Sequence, residues 1–116
     1  MVIESFKAFA LDQISALPEL RARAMFSAHG LYSGDCFFGI LDEGRVFFKV
    51  DEVTRAAYES RNMPPFTYEM KGRVLTMGYY EVPPEILENR HEAVVWANQA
   101  IQIAATKPVR SRASRK

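Results

Sequence analysis

The sequence holds one cysteine, Cys36, and two histidines, so little soft-ligand chemistry is available to it. An internal disulfide is excluded, and the usual structural zinc sets of Cys and His cannot be assembled. No run approaches the ~20 consecutive apolar residues of a membrane helix. The opening MVIESFKAF carries Glu4 within a helical rather than a signal-like pattern. These absences lead us to expect a cytoplasmic protein without membrane contact. Also missing are a phosphate loop, a dinucleotide glycine motif, a metalloprotease helix and an esterase elbow. Carboxylates are plentiful, yet no pairing of them separates a glycosidase or protease from an acidic surface. No catalytic residue, metal ligand or cofactor is assigned on this basis, and an enzyme is the weaker class.

What the chain does have is the composition of one globular domain, 116 residues with 48% hydrophobic and 25% charged. Its net charge of +1 conceals an asymmetry. All 14 acidic residues precede Lys107, while five of the 15 basic ones, Lys107, Arg110, Arg112, Arg115 and Lys116, follow Thr106. Residues 1–106 thus read as an acidic folded body and 107–116 as a flexible basic arm, since KPVRSRASRK lacks apolar periodicity and contains Pro108. The acidic body opposes a phosphate backbone, which leaves the arm as the one weak, salt-sensitive nucleic-acid contact. Simple solvation of the arm is the alternative reading.

Ile3, Phe6, Ala10, Ile14 and Leu17 recur at helical spacing and predict an amphipathic first helix that ends near Pro18. From Arg21 the period changes to the alternation of a half-buried strand, followed by a bulge or bend within Ser27–Gly30. Ser33-Gly34-Asp35 turns the chain into CFFGIL, and Asp42-Glu43-Gly44 turns it into RVFFKV. Asp51 is placed as an N-cap for a helix to about Arg61, with Asn62 suited to a left-handed C-terminal position. Phe66, Tyr68 and Met70 alternate, Lys71-Gly72 makes a tight turn, and RVLTMGYYEV returns. Pro83-Pro84 closes that strand and opens a short helical segment, before Ala93, Trp96, Ala97, Ala100, Ile101 and Ala104 mark a last helix. The predicted class is α+β, a two-layer sandwich in the order α-β-β-β-α-β-β-α, with a mainly antiparallel sheet and helices on one face.

Strand alternation separates two apolar sets, Val46, Phe48 and Val50 on one side and Phe37, Phe47 and Tyr79 on the other. With helices on one face, the second needs cover, from another subunit or protein or from a terminal helix wrapping round. Arg23 and Lys49 lie out of phase with the better apolar sets and join Tyr32, Tyr68, Tyr79 and Tyr80 as candidates for a ligand or partner surface. The full candidate surface is Arg23, Tyr32, Phe37, Phe47, Lys49, Tyr79 and Tyr80. Cys36, with Asp35 and His29 nearby in sequence, could be imagined as a nucleophile, but within CFFGIL it reads as a small buried hydrophobe.

Several segments carry a resemblance in order along the chain. They are Arg23 with Met25-Phe26, Gly30-Leu31-Tyr32, RVFFKVDE through Glu52, Pro65-Phe66-Thr67-Tyr68, Tyr79-Tyr80-Glu81-Val82-Pro83, and Trp96. Together they resemble the N-terminal domain of the TfoX/Sxy competence-regulator family over about residues 20 to 105. The resemblance implies a cytoplasmic bacterial protein and an α+β fold of the secretion-chaperone-like kind. Ser27, Ala28 and His29 stand where the family usually has small glycines. Longer members continue into a second, helical domain and co-activate transcription with the cyclic-AMP receptor protein; the resemblance here covers the first domain.

The function expected from residues and resemblance together is a non-enzymatic regulatory or protein-interaction module. Its expected partner is a protein, with the transcription machinery or a second copy as options. The runner-up is a small-ligand binder or uncharacterised enzyme that uses the Arg23, Lys49 and tyrosine region, and a third reading has the basic arm touch DNA.

Overall fold

The computed structural model describes the backbone of residues 2–25 and 28–113, and the side chains of 5–24, 28–67, 71–73 and 78–105. Helix α1 (Val2–Gln13) leads into four strands, β1 (Leu20–Met25), β2 (Ala28–Ser33), β3 (Cys36–Asp42) and β4 (Arg45–Lys49). Helix α2 (Glu52–Glu59) crosses to β5 (Pro65–Met70) and β6 (Arg73–Glu81), and α3 (Pro84–Leu87) and α4 (Arg90–Ala113) complete the order. One six-stranded sheet results, β1-β2-β3-β4-β6-β5, with every neighbouring pair antiparallel. The α+β class holds.

Two boundaries differ from the sequence reading. Four strands, not three, precede α2, because Ala28–Ser33 pairs on both sides, with β1 and with β3, instead of forming only a bend. The irregularity lies one strand further on: Tyr32 pairs with Phe37 and Leu31 with Gly39, which leaves Phe38 as the extra residue. That bulge lets Phe38 join the helix-side core while Phe37 and Ile40 turn to the other face. The last helix also runs through Ala113 instead of ending at Thr106, so Lys107, Arg110 and Arg112 lie on helical backbone, and Pro108 does not terminate it.

Local chemistry accounts for the turns. Glu43-Gly44 and Lys71-Gly72 each put two residues at positive φ between paired strand ends, Asp42 with Arg45 and Met70 with Arg73. This is the type I′ geometry whose twist matches a hairpin. Asp51 accepts the Thr54 amide at 2.8 Å while its own amide donates to Thr54 Oγ1 at 3.1 Å, a capping box for α2. Asn62 takes the left-handed conformation beyond the helix end at φ 62°.

All four helices cover one face. Ala10 of α1, Tyr58 of α2, Ile86 and Leu87 of α3 and Ala93, Ala97 and Ala100 of α4 form one buried cluster with Leu31, Phe38, Leu41, Val46, Phe48, Val50 and Val82. The alanine stripe of α4 brings its backbone close to β3 and β4. At Gly39 the approach is closer still, since a Cβ there would lie 2.8 Å from the Phe47 carbonyl oxygen. Each buried large side chain contributes roughly 1.5–3 kcal/mol. Apart from Arg45–Glu81, whose carboxylate is 16% exposed, the ion pairs seen among the described residues are exposed, a setting worth about 0–1 kcal/mol each. The fold is therefore held by its apolar clusters.

Candidate functional site

The opposite face of the sheet carries a second, smaller cluster of Ala28, Ile40, Phe47, Phe66 and Tyr79, with Phe37 packed against it. Alternation along β3, β4 and β6 puts these residues there, in the two sets that the sequence separates. Phe47 and Tyr79 are 1% and 4% exposed, so the described members of this cluster are buried by the chain itself. Phe47 supports the surface from beneath, while Tyr79 and the partly buried Phe37 also reach it.

A row of rings crosses this face. Tyr32 stacks on Phe37 with centroids 5.2 Å apart, and Phe37 meets Tyr79 at 5.5 Å. Cations stand at both ends of the row: Arg21 and Arg23 lie 5.8 and 5.7 Å from the Tyr32 centroid, and Lys49 Nζ lies 4.9 Å from that of Tyr79. Arg45 adds a further cation 5.1 Å from the Phe47 centroid and 3.7 Å from Glu81. Burial raises the Tyr79 phenol above its ordinary value, with Cys36 and Tyr32 adding in the same sense. The same desolvation, outweighing Arg45, raises the Glu81 carboxyl.

Beside the row lies an open recess of about 610 Å³, walled by Ser33, Asp35, Cys36 and Phe37 from the β2–β3 hairpin, Lys49 and Tyr79 from β4 and β6, and Ala104 and Ala105 from α4. The Cys36 thiol donates to the Ile101 carbonyl at 3.4 Å, and burial raises its pKa, so it is held as a thiol and not as a thiolate nucleophile. His29 sits at the other end of the same hairpin, opposite Leu41, away from Cys36 opposite Ser33.

Of the residues proposed from sequence, Arg23, Tyr32, Phe37, Phe47, Lys49 and Tyr79 meet on this one face. Tyr80 does not. As the strand neighbour of Tyr79 it turns to the helix side, where its hydroxyl donates to Glu59 at 2.9 Å and its ring lies 6.1 Å from Tyr58. The Tyr68 side chain, the basic side chains of Lys107, Arg110 and Arg112, and Arg115 and Lys116 altogether lie outside the described residues. Sequence reasoning did not assemble the recess, because its remaining walls are small residues from distant segments. The available signal was the position of Ala104 at the end of the α4 apolar stripe. Among the described residues no group of three or more His, Cys, Asp or Glu could hold a metal ion. No helix among them is long and apolar enough to cross a membrane.

A twisted antiparallel sheet with helices on one face and a row of caged aromatics on the other defines an α+β domain with a prepared surface. The TfoX N-terminal domain matches residues 12–104, and the chain belongs to that family, as a competence-regulator-like domain. No curated protein matches the chain.

Proposed function

We propose that this domain is a non-enzymatic regulatory module that acts by protein contact in the bacterial cytoplasm, with a component of the transcription machinery as its partner. Family membership over residues 12–104 is the observation that carries this reading. The geometry supports it, because the face opposite the helices presents Arg21, Arg23, Tyr32 and Lys49 over a dry aromatic base. Aromatics with arginine at their edge are what binding surfaces concentrate. The hydrogen-bonded, raised-pKa Cys36 supports the non-enzymatic part of the reading. Capture from bacterial lysate tests the proposal, using the intact chain, an Arg23→Glu/Lys49→Glu variant and a chain ending at Thr106. The expected result is a protein recovered by the intact and shortened chains and lost with the charge-reversed one. Recovery of DNA by the intact chain alone would assign the contact to the basic segment instead, and recovery of a second copy alone would make the module a homodimer.

The recess favours a second reading, a small amphipathic anion held between Lys49 and Tyr79. Its volume of about 610 Å³ falls within the ~300–1,000 Å³ of small-molecule sites. A metabolite that raises the melting temperature of the wild-type chain and not of Lys49→Ala would establish it.

A further inference from the structure

Among the described residues β1 is an edge of the sheet and pairs only with β2. Such an edge leaves every second backbone N–H and C=O pointing outward, and proteins commonly blunt it with proline, a bulge or a covering element. The opposite edge, β5, begins with Pro65 and has a register irregularity after it. β1 has neither proline nor glycine, and its pairing with β2 is regular from Leu20 to Met25.

The two sides of this edge differ in chemistry. Arg21 and Arg23 project on the face of Tyr32, both exposed, with their guanidinium carbons within 6 Å of its ring centroid. Leu20 and Ala22 project on the other side, toward α1, and border a groove of about 530 Å³. Leu11 and Leu17 supply its apolar wall, Asp12 and Glu19 place carboxylates along it, and Arg21 borders it at the strand edge. Leu11, Leu20 and Ala22 are only partly buried and pack against the main core, so an apolar side chain entering the groove would extend that core.

We propose that the β1 edge is a docking site for an extended segment of another protein that alternates acidic with apolar residues. Paired antiparallel or parallel to β1, such a segment would place its acidic residues beside Arg21 and Arg23 and its apolar residues in the groove under α1. An acidic residue in the opposite phase would enter the apolar groove beside the Glu19 carboxylate, Asp12 being already paired with Arg90 at 2.8 Å, so the alternation as well as the net charge is read. A second copy of β1 does not meet this requirement. In the antiparallel register centred on Ala22, its Arg21 and Arg23 would stand across from Arg23 and Arg21, and like charges directly opposite destabilise a strand pair. The inference deepens the protein-contact reading and rests on it.

The test uses the full chain and three synthetic peptides of about ten residues, enough to span an edge strand of ordinary length. One alternates Glu with Val, one has the same composition with its glutamates contiguous, and one has Lys in place of Glu. Binding is read by fluorescence anisotropy, and location by backbone amide shifts. The alternating acidic peptide is expected to bind, to shift amides within Leu20–Met25 and to weaken as salt is raised. Arg21→Glu/Arg23→Glu should lower its affinity by at least about tenfold, the scale of a lost charge pair, and should gain affinity for the Lys peptide. The gain of function keeps the test valid against simple loss of folding. Equal binding of the contiguous peptide, shifts centred on Cys36, Lys49 and Tyr79 instead, or no binding would each overturn the inference. In the last two cases a lysate partner sensitive to Lys49→Glu but not to the Arg21/Arg23 reversal would leave the protein-contact reading standing while removing β1 from it.

Discussion

On the helix side of the sheet, Leu31, Phe38, Val46, Phe48 and Val82 meet side chains from all four helices, while on the far side Ile40, Phe47, Phe66 and Tyr79 cluster with Ala28 and Phe37 and no described helix residue. Phe48 is 0% exposed and Phe47 1%, so two adjacent residues of β4 reach the same burial in opposite surroundings. Cations mark the difference. Arg23, Arg45 and Lys49 lean on rings of the far side, whereas the one ring contacted by a cation on the near side is Trp96, by Arg61, among the described residues. One face is built to be closed and the other to be dry beneath and charged above. The buried base holds the charged groups above it in place.

The largest expected effects test whether the two faces are equally well closed. Phe48→Ala should cost about 3–5 kcal/mol in chemical denaturation, the usual range for a fully buried phenylalanine. Phe47→Ala should fall in the same range, given its 1% exposure and its 5.0 Å edge contact with Phe66. A cost near that of a surface substitution would break the comparison and make the far side a loosely closed surface. Next comes Gly39→Ala, which pushes a methyl against the Phe47 carbonyl where the two faces share a backbone. It should lose about 1–3 kcal/mol, as overpacked sites do, and lower the melting temperature correspondingly. An unchanged melting temperature would show that β3 can shift at its bulge.

A smaller effect belongs to the α2 cap. Asp51→Ala should destabilise by about 1 kcal/mol. Hydrogen bonds from Thr54 hold the Asp51 carboxyl below its ordinary value of 3.8. Its contribution is thus fully present above that pH and lost as pH falls through the lower folded value, a loss that the alanine variant should not show. Smallest of all is Arg61→Ala, which removes a 2.9 Å contact with Glu85 between groups 42% and 61% exposed. A stability change beyond about 0.5 kcal/mol there would mean that Arg61 matters through its position over Trp96 and not through the ion pair.

The division of β4 and its neighbours into two faces was legible in the sequence because alternation is a local property: Val46, Phe48 and Val50 against Phe37, Phe47 and Tyr79. The hairpin turns and the Asp51 cap were legible for the same reason. β2 was not, since AHGLYS contains Gly30 and no β-branched residue, and its strand character comes from pairing on both sides. Tyr80 parts from Tyr79 because adjacent strand residues face opposite ways, which sends it to Glu59 and Tyr58. The recess and the β1 groove each need walls from segments far apart in the chain, and no local pattern announces such a meeting.

The hairpin-by-hairpin pairing of β1 to β4 has a kinetic consequence. These strands follow one another in the sheet, with β3 and β4 joined by a two-residue turn, so their contacts close short loops and carry little entropic delay. The helix layer is assembled from the opposite direction in sequence. Gln13 donates to the Leu87 carbonyl, Arg90 bridges to Asp12 and Cys36 reaches Ile101, over separations of 74, 78 and 65 residues. A chain emerging from the ribosome can therefore form the four-strand meander while α4, the cover for its apolar side, is still being made. During that interval the part of the Phe38 and Phe48 face that α4 covers has only the earlier helices to shield it, and apolar surface left open on a partly folded chain favours aggregation.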